Sequence, residues 1–225
     1  DPLKHQKQLD LYEAVTQYVR KGFNAAKRSK NNSRGLIMIL FQRLVSSSTA
    51  AILSVMEGRL HRLRYGDDSD IDNYADVYDQ LDDDFQEELY FESIIQNNNE
   101  VLIDEESLLC ELINKAKECI NLEVDAKAEA LLNKIKQLRQ ESNNSELKIL
   151  VFTEFRTTQK MLVDLFKLNA YRCESINGSH DLDERKRALI NFKNESQILV
   201  ATDAAGESLN MQFCHIVVNY DMPWN

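Results

Sequence analysis

Leu11, Val15, Val19 and Phe23 recur every four residues with lysines and arginines between them, which lines one face of an amphipathic helix over about residues 6–28. Asn31-Asn32-Ser33 interrupts it. The apolar run Leu36–Leu40, continued by Phe41, Leu44 and Val45, is too long and too little punctuated for a strand and predicts a buried helix. Ser46, Ser47 and Ser48 then supply capping hydroxyls, and Ile52, Met56, Leu60 and Leu63 mark a third helix with Arg59, Arg62 and Arg64 on its other side. Further on, Leu102, Leu108, Leu109, Leu112 and Ile113 predict a helix reaching toward Ile120. After Asp125, Ala128, Leu131, Leu132, Ile135 and Leu138 predict another. No proline occurs between residues 3 and 222, so long helices are permitted throughout.

Beyond residue 146 the rhythm changes. Short β-rich runs at Lys148–Phe152, Tyr171–Ile176, Gln197–Ala201 and Cys214–Tyr220 alternate with helical patterns. One helix is predicted over Thr157–Leu168, and another opens at Asp181, whose pairing with Glu184 has capping-box spacing. Alternation at this spacing predicts right-handed crossovers and a parallel sheet. The expected fold class is therefore α/β, a partial parallel sheet with helices on both faces over 147–225. A helical region over 1–64, an acidic insertion over 65–100 and lead-in helices over 101–146 precede it.

Charge redraws the middle of the chain. The net charge is -10, yet residues 65–114 hold 17 acidic groups and no lysine or arginine, while residues 1–64 hold 12 basic groups against 4 acidic. An acidic block thus interrupts a mildly basic protein, and the local balance, not the total, governs phosphate binding. Tyr74, Tyr78, Leu81, Phe85 and Leu89 keep helical spacing inside the block, so a short acidic helix and a disordered insertion both fit it. A mimic of DNA, a docking arm for a protein partner and a solubilising insertion are its candidate roles. With 43% hydrophobic residues the chain has material for a real core. The four cysteines match no zinc spacing and read as buried reduced thiols. No apolar run of about 18 residues occurs, and Asp1-Pro2-Leu3-Lys4 has neither a basic n-region nor an apolar h-region, so no signal peptide is expected there. A cytoplasmic setting, with no membrane partner, is expected.

In a parallel sheet, ligands bind in the loops beyond the carboxyl ends of the strands. Here those loops hold Thr153, Glu154 and Phe155; Asn177, Gly178, Ser179 and His180; and Thr202, Asp203 and the residues to Ser208. All three are small, polar and rich in donors. Hydroxyls and backbone N–H groups at Thr153, Ser179 and Thr202, on adjacent strands, suit successive phosphates of a nucleic-acid strand, with Arg156, Arg185 and Lys186 adding charge. Ordinary capping and loop closure would use the same residues.

Lys148–Thr158 resembles motif IV of the second RecA-like lobe of superfamily-two helicases. Asn177-Gly-Ser-His180, with Arg185 and Phe192, is similar to the loop and helix that follow it. Ile198–Asn210 resembles motif V, and Cys214–Asn225 resembles the strand and turn leading toward motif VI. Gly206-Glu207, Leu209-Asn210 and Tyr220-Asp-Met-Pro-Trp-Asn225 are similar to the Swi/Snf family of ATP-driven DNA translocases, in its RapA-like bacterial branch. Leu9–Val19 and Leu36–Leu44 are similar to that family's helical region, and the acidic block resembles nothing in it. Ser208 stands where the family carries Gly.

The resemblance implies an incomplete RecA-like helicase C-terminal lobe, ending before motif VI, from a DNA-dependent ATPase located in the cytoplasm with the bacterial nucleoid. It assigns nucleic-acid contact to Thr153, Glu154, Asn177, Gly178, Ser179, Thr202 and Asp203, and the ATP cleft to Gly206, Glu207, Ser208 and Asn210. It implies ATP and Mg²⁺ in the complete protein, none bound to this stretch alone, and duplex DNA and the missing first lobe as partners. No catalytic residue and no metal ligand is assigned, and no Gly-x-x-x-x-Gly-Lys-Ser/Thr loop occurs in the sequence. ATP turnover by this stretch alone is not expected. An RNA-helicase second lobe and a non-enzymatic docking module are the alternatives. A flavodoxin-like nucleotide domain would need a phosphate site after the first strand, which Thr153-Glu154-Phe155 does not supply.

Overall fold

The computed structural model describes residues 5–29, 32–65, 104–202 and 211–221. The acidic insertion, apart from Tyr65, lies outside them. The chain divides into two compact units, Asp1–Ala126 and Lys127–Asn225.

The first unit is helical. Its elements are α1 (Gln6–Ser29), α2 (Asn32–Ser47), α3 (Thr49–Tyr65) and α4 (Glu105–Leu122). Helix α1 packs on α2 and α4, while α3 packs on α2 and α4. The predicted stripes point inward: Leu11, Val15 and Val19 of α1, Phe41 and Leu44 of α2, Ile52 and Met56 of α3, and Leu109, Leu112 and Ile113 of α4 are all buried. Burial of each such side chain contributes about 1.5–3 kcal/mol, so tertiary packing rather than helix propensity holds these segments. Ser48 caps α3, accepting from the Ala51 N–H at 3.1 Å. Gly22 lets α1 approach α2 closely, since a Cβ there would lie 2.3 Å from Sδ of the fully buried Met38.

On its sequence pattern Arg59 belongs to a basic helix face that either is solvated or touches DNA; the structure turns it inward. Its Nε donates to Oε1 of Glu105 at 2.5 Å, and the Tyr18 hydroxyl donates to the same oxygen at 2.7 Å. The Glu105 side chain is 0% exposed. A buried carboxylate needs a counter-charge and donors, and α1 and α3 supply both. Arg64 instead pairs with Glu106 at the surface.

The second unit runs α5 (Ala126–Glu141), β1 (Ile149–Thr153), α6 (Arg156–Leu168), β2 (Cys173–Ile176), α7 (Leu182–Asn194), β3 (Ile198–Thr202) and β4 (Ile216–Asn219). The sheet is parallel throughout, in the order β2-β3-β1-β4. Side chains alternate between its faces. Ile149, Val151, Ile198 and Val200 pack with Leu131 and Ile135 of α5 and Leu162 and Phe166 of α6. Leu150, Leu199 and Ala201 pack on the other face with Ala188 and Phe192 of α7. This is the expected α/β layout, helices on both faces of a parallel sheet. The Asp181 capping box forms in full: Oδ1 accepts from the Glu184 N–H at 2.8 Å, and the Asp181 N–H donates to Glu184 Oε2 at 2.9 Å.

Among the described residues, no helix is long and apolar enough to cross a membrane. All four cysteines are free; Cys119 and Cys173 are buried, whereas Cys110 and Cys214 are half-exposed.

Candidate nucleic-acid interface

The strand order brings the expected loops to one edge. Strands β1 and β3 are in register, with Thr153 beside Thr202, and β2 ends one step earlier with Ile176 beside Ala201. The carboxyl ends of β2, β3 and β1 therefore stand in a row. Thr153 and Thr202 share the face of Val151 and Val200 and are 1% and 6% exposed, so both lie beneath the surface. Asp203, Gly206, Glu207, Ser208 and Asn210 lie outside the described residues, as does Trp224.

Asp221 binds the tip of β1. Its Oδ2 accepts from the Thr153 hydroxyl at 2.6 Å and from the Glu154 N–H at 3.0 Å, and its Oδ1 accepts from Lys127 Nζ at 2.7 Å. The Lys127 ammonium also lies 4.2 Å from the centre of the Tyr220 ring, where ring quadrupole and carboxylate both favour it. The Thr153 and Glu154 donors assigned to phosphate contact thus serve Asp221 in this structure.

The exposed member of the row is the turn Asn177–His180, closed by the His180 N–H donating to the Asn177 carbonyl at 3.2 Å. Asn177 Oδ1 accepts from both the N–H and the hydroxyl of Ser179, at 3.1 and 2.7 Å. Arg185 of α7 donates to the carbonyls of His180 and Gly178 at 3.0 and 3.2 Å, which keeps a guanidinium charge against the turn. A Cβ built on Gly178 meets nothing within 4 Å. Gly178 is exposed, so the turn presents its backbone to solvent beside a fixed positive charge. Asp181, next in the chain, is held below the usual carboxylate range by the Glu184 N–H that it accepts.

Sequence reasoning missed two residues here. Gln159 of α6 is 3% exposed, and its amide reaches the last residue of β2, Ile176, and the middle of β3, at Val200. The available signal was an amide in the inward stripe formed by Gln159, Leu162 and Phe166. Asp221 was read only as part of a motif, because nothing local connects it to Thr153, 68 positions earlier. Among the described residues no group of three or more metal-ligating side chains occurs.

The profile of the helicase conserved C-terminal domain matches residues 127–225, the extent of the second compact unit. That unit is a helicase C-terminal lobe. The chain is 32% identical over 104 residues to the uncharacterized ATP-dependent helicase YqhH of Bacillus subtilis (strain 168), a match covering 42% of this chain and 19% of that protein. It is 28% identical over 131 residues to DEAD-box ATP-dependent RNA helicase 38 of Oryza sativa subsp. japonica, covering 58% of this chain and 25% of that protein. The chain thus spans a quarter or less of the length of these curated relatives. Among solved structures, the C-terminal part of the Fun30 ATPase domain superposes with a TM-score of 0.55 at 16% identity, covering 98% of this chain and 73% of that one. At that identity the likeness shows the fold of the helicase lobe and its preceding helices.

Proposed function

We propose that this chain is part of a DNA-dependent ATPase and translocase of the Swi/Snf helicase-like family, RapA-like branch, and that its helicase lobe holds the phosphates of one DNA strand. The observation that carries this reading is the row formed by the carboxyl ends of β2, β3 and β1, with the exposed Gly178 backbone and the Arg185 guanidinium at its exposed end. The wording of Gly206-Glu207 and Tyr220–Asn225 supports the family, and the helicase match supports the lobe.

Contacts of this kind position a backbone without reading bases, and they weaken as salt rises. The Asn177–His180 turn makes the first contact. Thr153, Glu154 and Thr202 form the floor behind it, and the family resemblance assigns Asp203 to the strand contact and Gly206, Glu207, Ser208 and Asn210 to the nucleotide. ATP and Mg²⁺ act in the complete protein, together with a first RecA-like lobe. The acidic block is the place for a protein partner.

Fluorescence anisotropy with the complete protein and labelled duplex DNA tests the proposal. Binding should fall with added salt. Gly178→Leu, which fills the open space above the turn, should weaken binding by roughly tenfold or more while the melting temperature stays unchanged. Absent or salt-insensitive DNA binding would remove the motor reading in favour of a docking module. The DEAD-box relatives favour a second reading, an RNA-helicase lobe. Preference for single-stranded RNA over duplex DNA would select it.

A further inference from the structure

We infer that Gln159 is a positioning residue for the nucleic-acid contact, setting the orientation of Asn177 and through it the shape of the Asn177–His180 turn. This rests on the proposed binding role of that turn. Gln159 Nε2 lies 2.8 Å from the carbonyl oxygen of Ile176, the last residue of β2, and 2.9 Å from that of Val200, in the middle of β3. Both partners are acceptors only, so the Gln159 NH₂ must face them. Its Oε1 is thereby forced toward Asn177, 2.9 Å from Nδ2. An oxygen there accepts, so Asn177 must present its own NH₂ to Gln159 and its Oδ1 to the other side. There Oδ1 receives the N–H and hydroxyl of Ser179.

Two strand carbonyls thus dictate, through two amides in series, which atom Asn177 turns toward Ser179. Neither amide can flip alone without placing like groups face to face. Gln159 is buried, where an unmatched polar pair is costly. The turn is consequently preorganised: Ser179 is folded back onto Asn177, and Gly178 stays exposed at its tip. Preorganisation of a contact loop raises affinity by lowering the ordering cost of binding.

Gln159→Glu is nearly isosteric and inverts the logic. An ionised carboxylate cannot donate to Ile176 and Val200. A protonated one can donate to one carbonyl and still accept from Asn177. Burial raises a glutamate's pKa, so the variant's defect should shrink as pH falls from about 8 to 6. The experiment uses the complete protein. Hydrogen exchange of peptides spanning residues 177–181 reports the turn directly, and anisotropy with the same labelled duplex DNA reports binding. At pH 8 the expected results are faster exchange in that segment and affinity reduced about fivefold to tenfold. At pH 6 both should return toward the parent's values measured at that pH.

Unchanged exchange in a folded variant would overturn the positioning role. Faster exchange with parental affinity would overturn the link from the turn to binding. A defect independent of pH would mark Gln159 as a packing residue and likewise overturn the inference. If the parent itself binds no nucleic acid, the proposed function fails, and the pH-dependent exchange still decides the amide relay. Should the glutamate variant not fold, Asn177→Leu removes the second amide. It should speed exchange of the turn and weaken binding, and failure to do both refutes the relay.

Discussion

Asp221→Ala removes a side chain that is 9% exposed and accepts from three donors. The Lys127 partner is 40% exposed, so solvent screening limits that pair to about 1 kcal/mol at most. The bonds from the Thr153 hydroxyl and the Glu154 N–H go to a charged acceptor, and bonds of that kind contribute about 1.5–3 kcal/mol each. The Thr153 hydroxyl is not easily rehydrated, because Thr153 is 1% exposed. Removing the carboxylate should therefore destabilise the helicase lobe by about 3 kcal/mol. For a domain of this size that lowers its melting transition by more than about 10 °C. Asp221→Asn keeps an acceptor for Thr153 and Glu154 but turns an NH₂ toward Lys127, and should cost about 1 kcal/mol. Thr153→Val, alone and combined with Asp221→Ala, completes a double-mutant cycle with coupling of about 1 kcal/mol. Thermal and urea unfolding followed by circular dichroism measure these values, and exchange of a peptide spanning residues 150–155 localises them. An alanine variant within 0.5 kcal/mol of the parent, or a cycle with no coupling, would refute the view that Asp221 holds the β1 tip.

In the helical unit, Glu105→Gln leaves Arg59 without its counter-charge in a largely buried site and should cost about 3 kcal/mol in urea unfolding. Burial holds the Tyr18 hydroxyl above the ordinary tyrosine range, so the fold favours its protonated form. The stability it contributes is complete below about pH 10 and is lost as pH rises beyond; Tyr18→Phe should abolish that alkaline loss, as pH-dependent melting would reveal. Asp181 has the opposite sign: its depressed carboxyl contributes stability above about pH 4 that disappears as pH falls through its folded-state value, and Asp181→Asn should flatten that acid limb. Burial pushes the Cys173 thiol up to about 12 and the Cys119 thiol up to about 11. At pH 8 their thiolate fractions are of order 10⁻⁴ and 10⁻³, so both should resist iodoacetamide in the native protein and react on unfolding, as peptide mass mapping would show.

The sequence by itself determined the elements and their faces. The four-residue spacing of Leu11, Val15 and Val19 set the buried side of α1. The Asp181–Glu184 pair set the start of α7, and the switch from helical runs to short β runs near residue 147 set the parallel sheet. These are local properties, carried by neighbours within one turn or one strand. Tertiary structure alone decided what those elements share. It placed β1 between β3 and β4, turned Arg59 inward to Glu105, and brought Asp221 to Thr153 and Gln159 to Asn177. Periodicity identifies which side of an element is buried, but not which distant polar group will meet it there. The candidate site is built from such meetings, so its residue types were legible in the sequence, while the direction of each donor was fixed only when the strands paired.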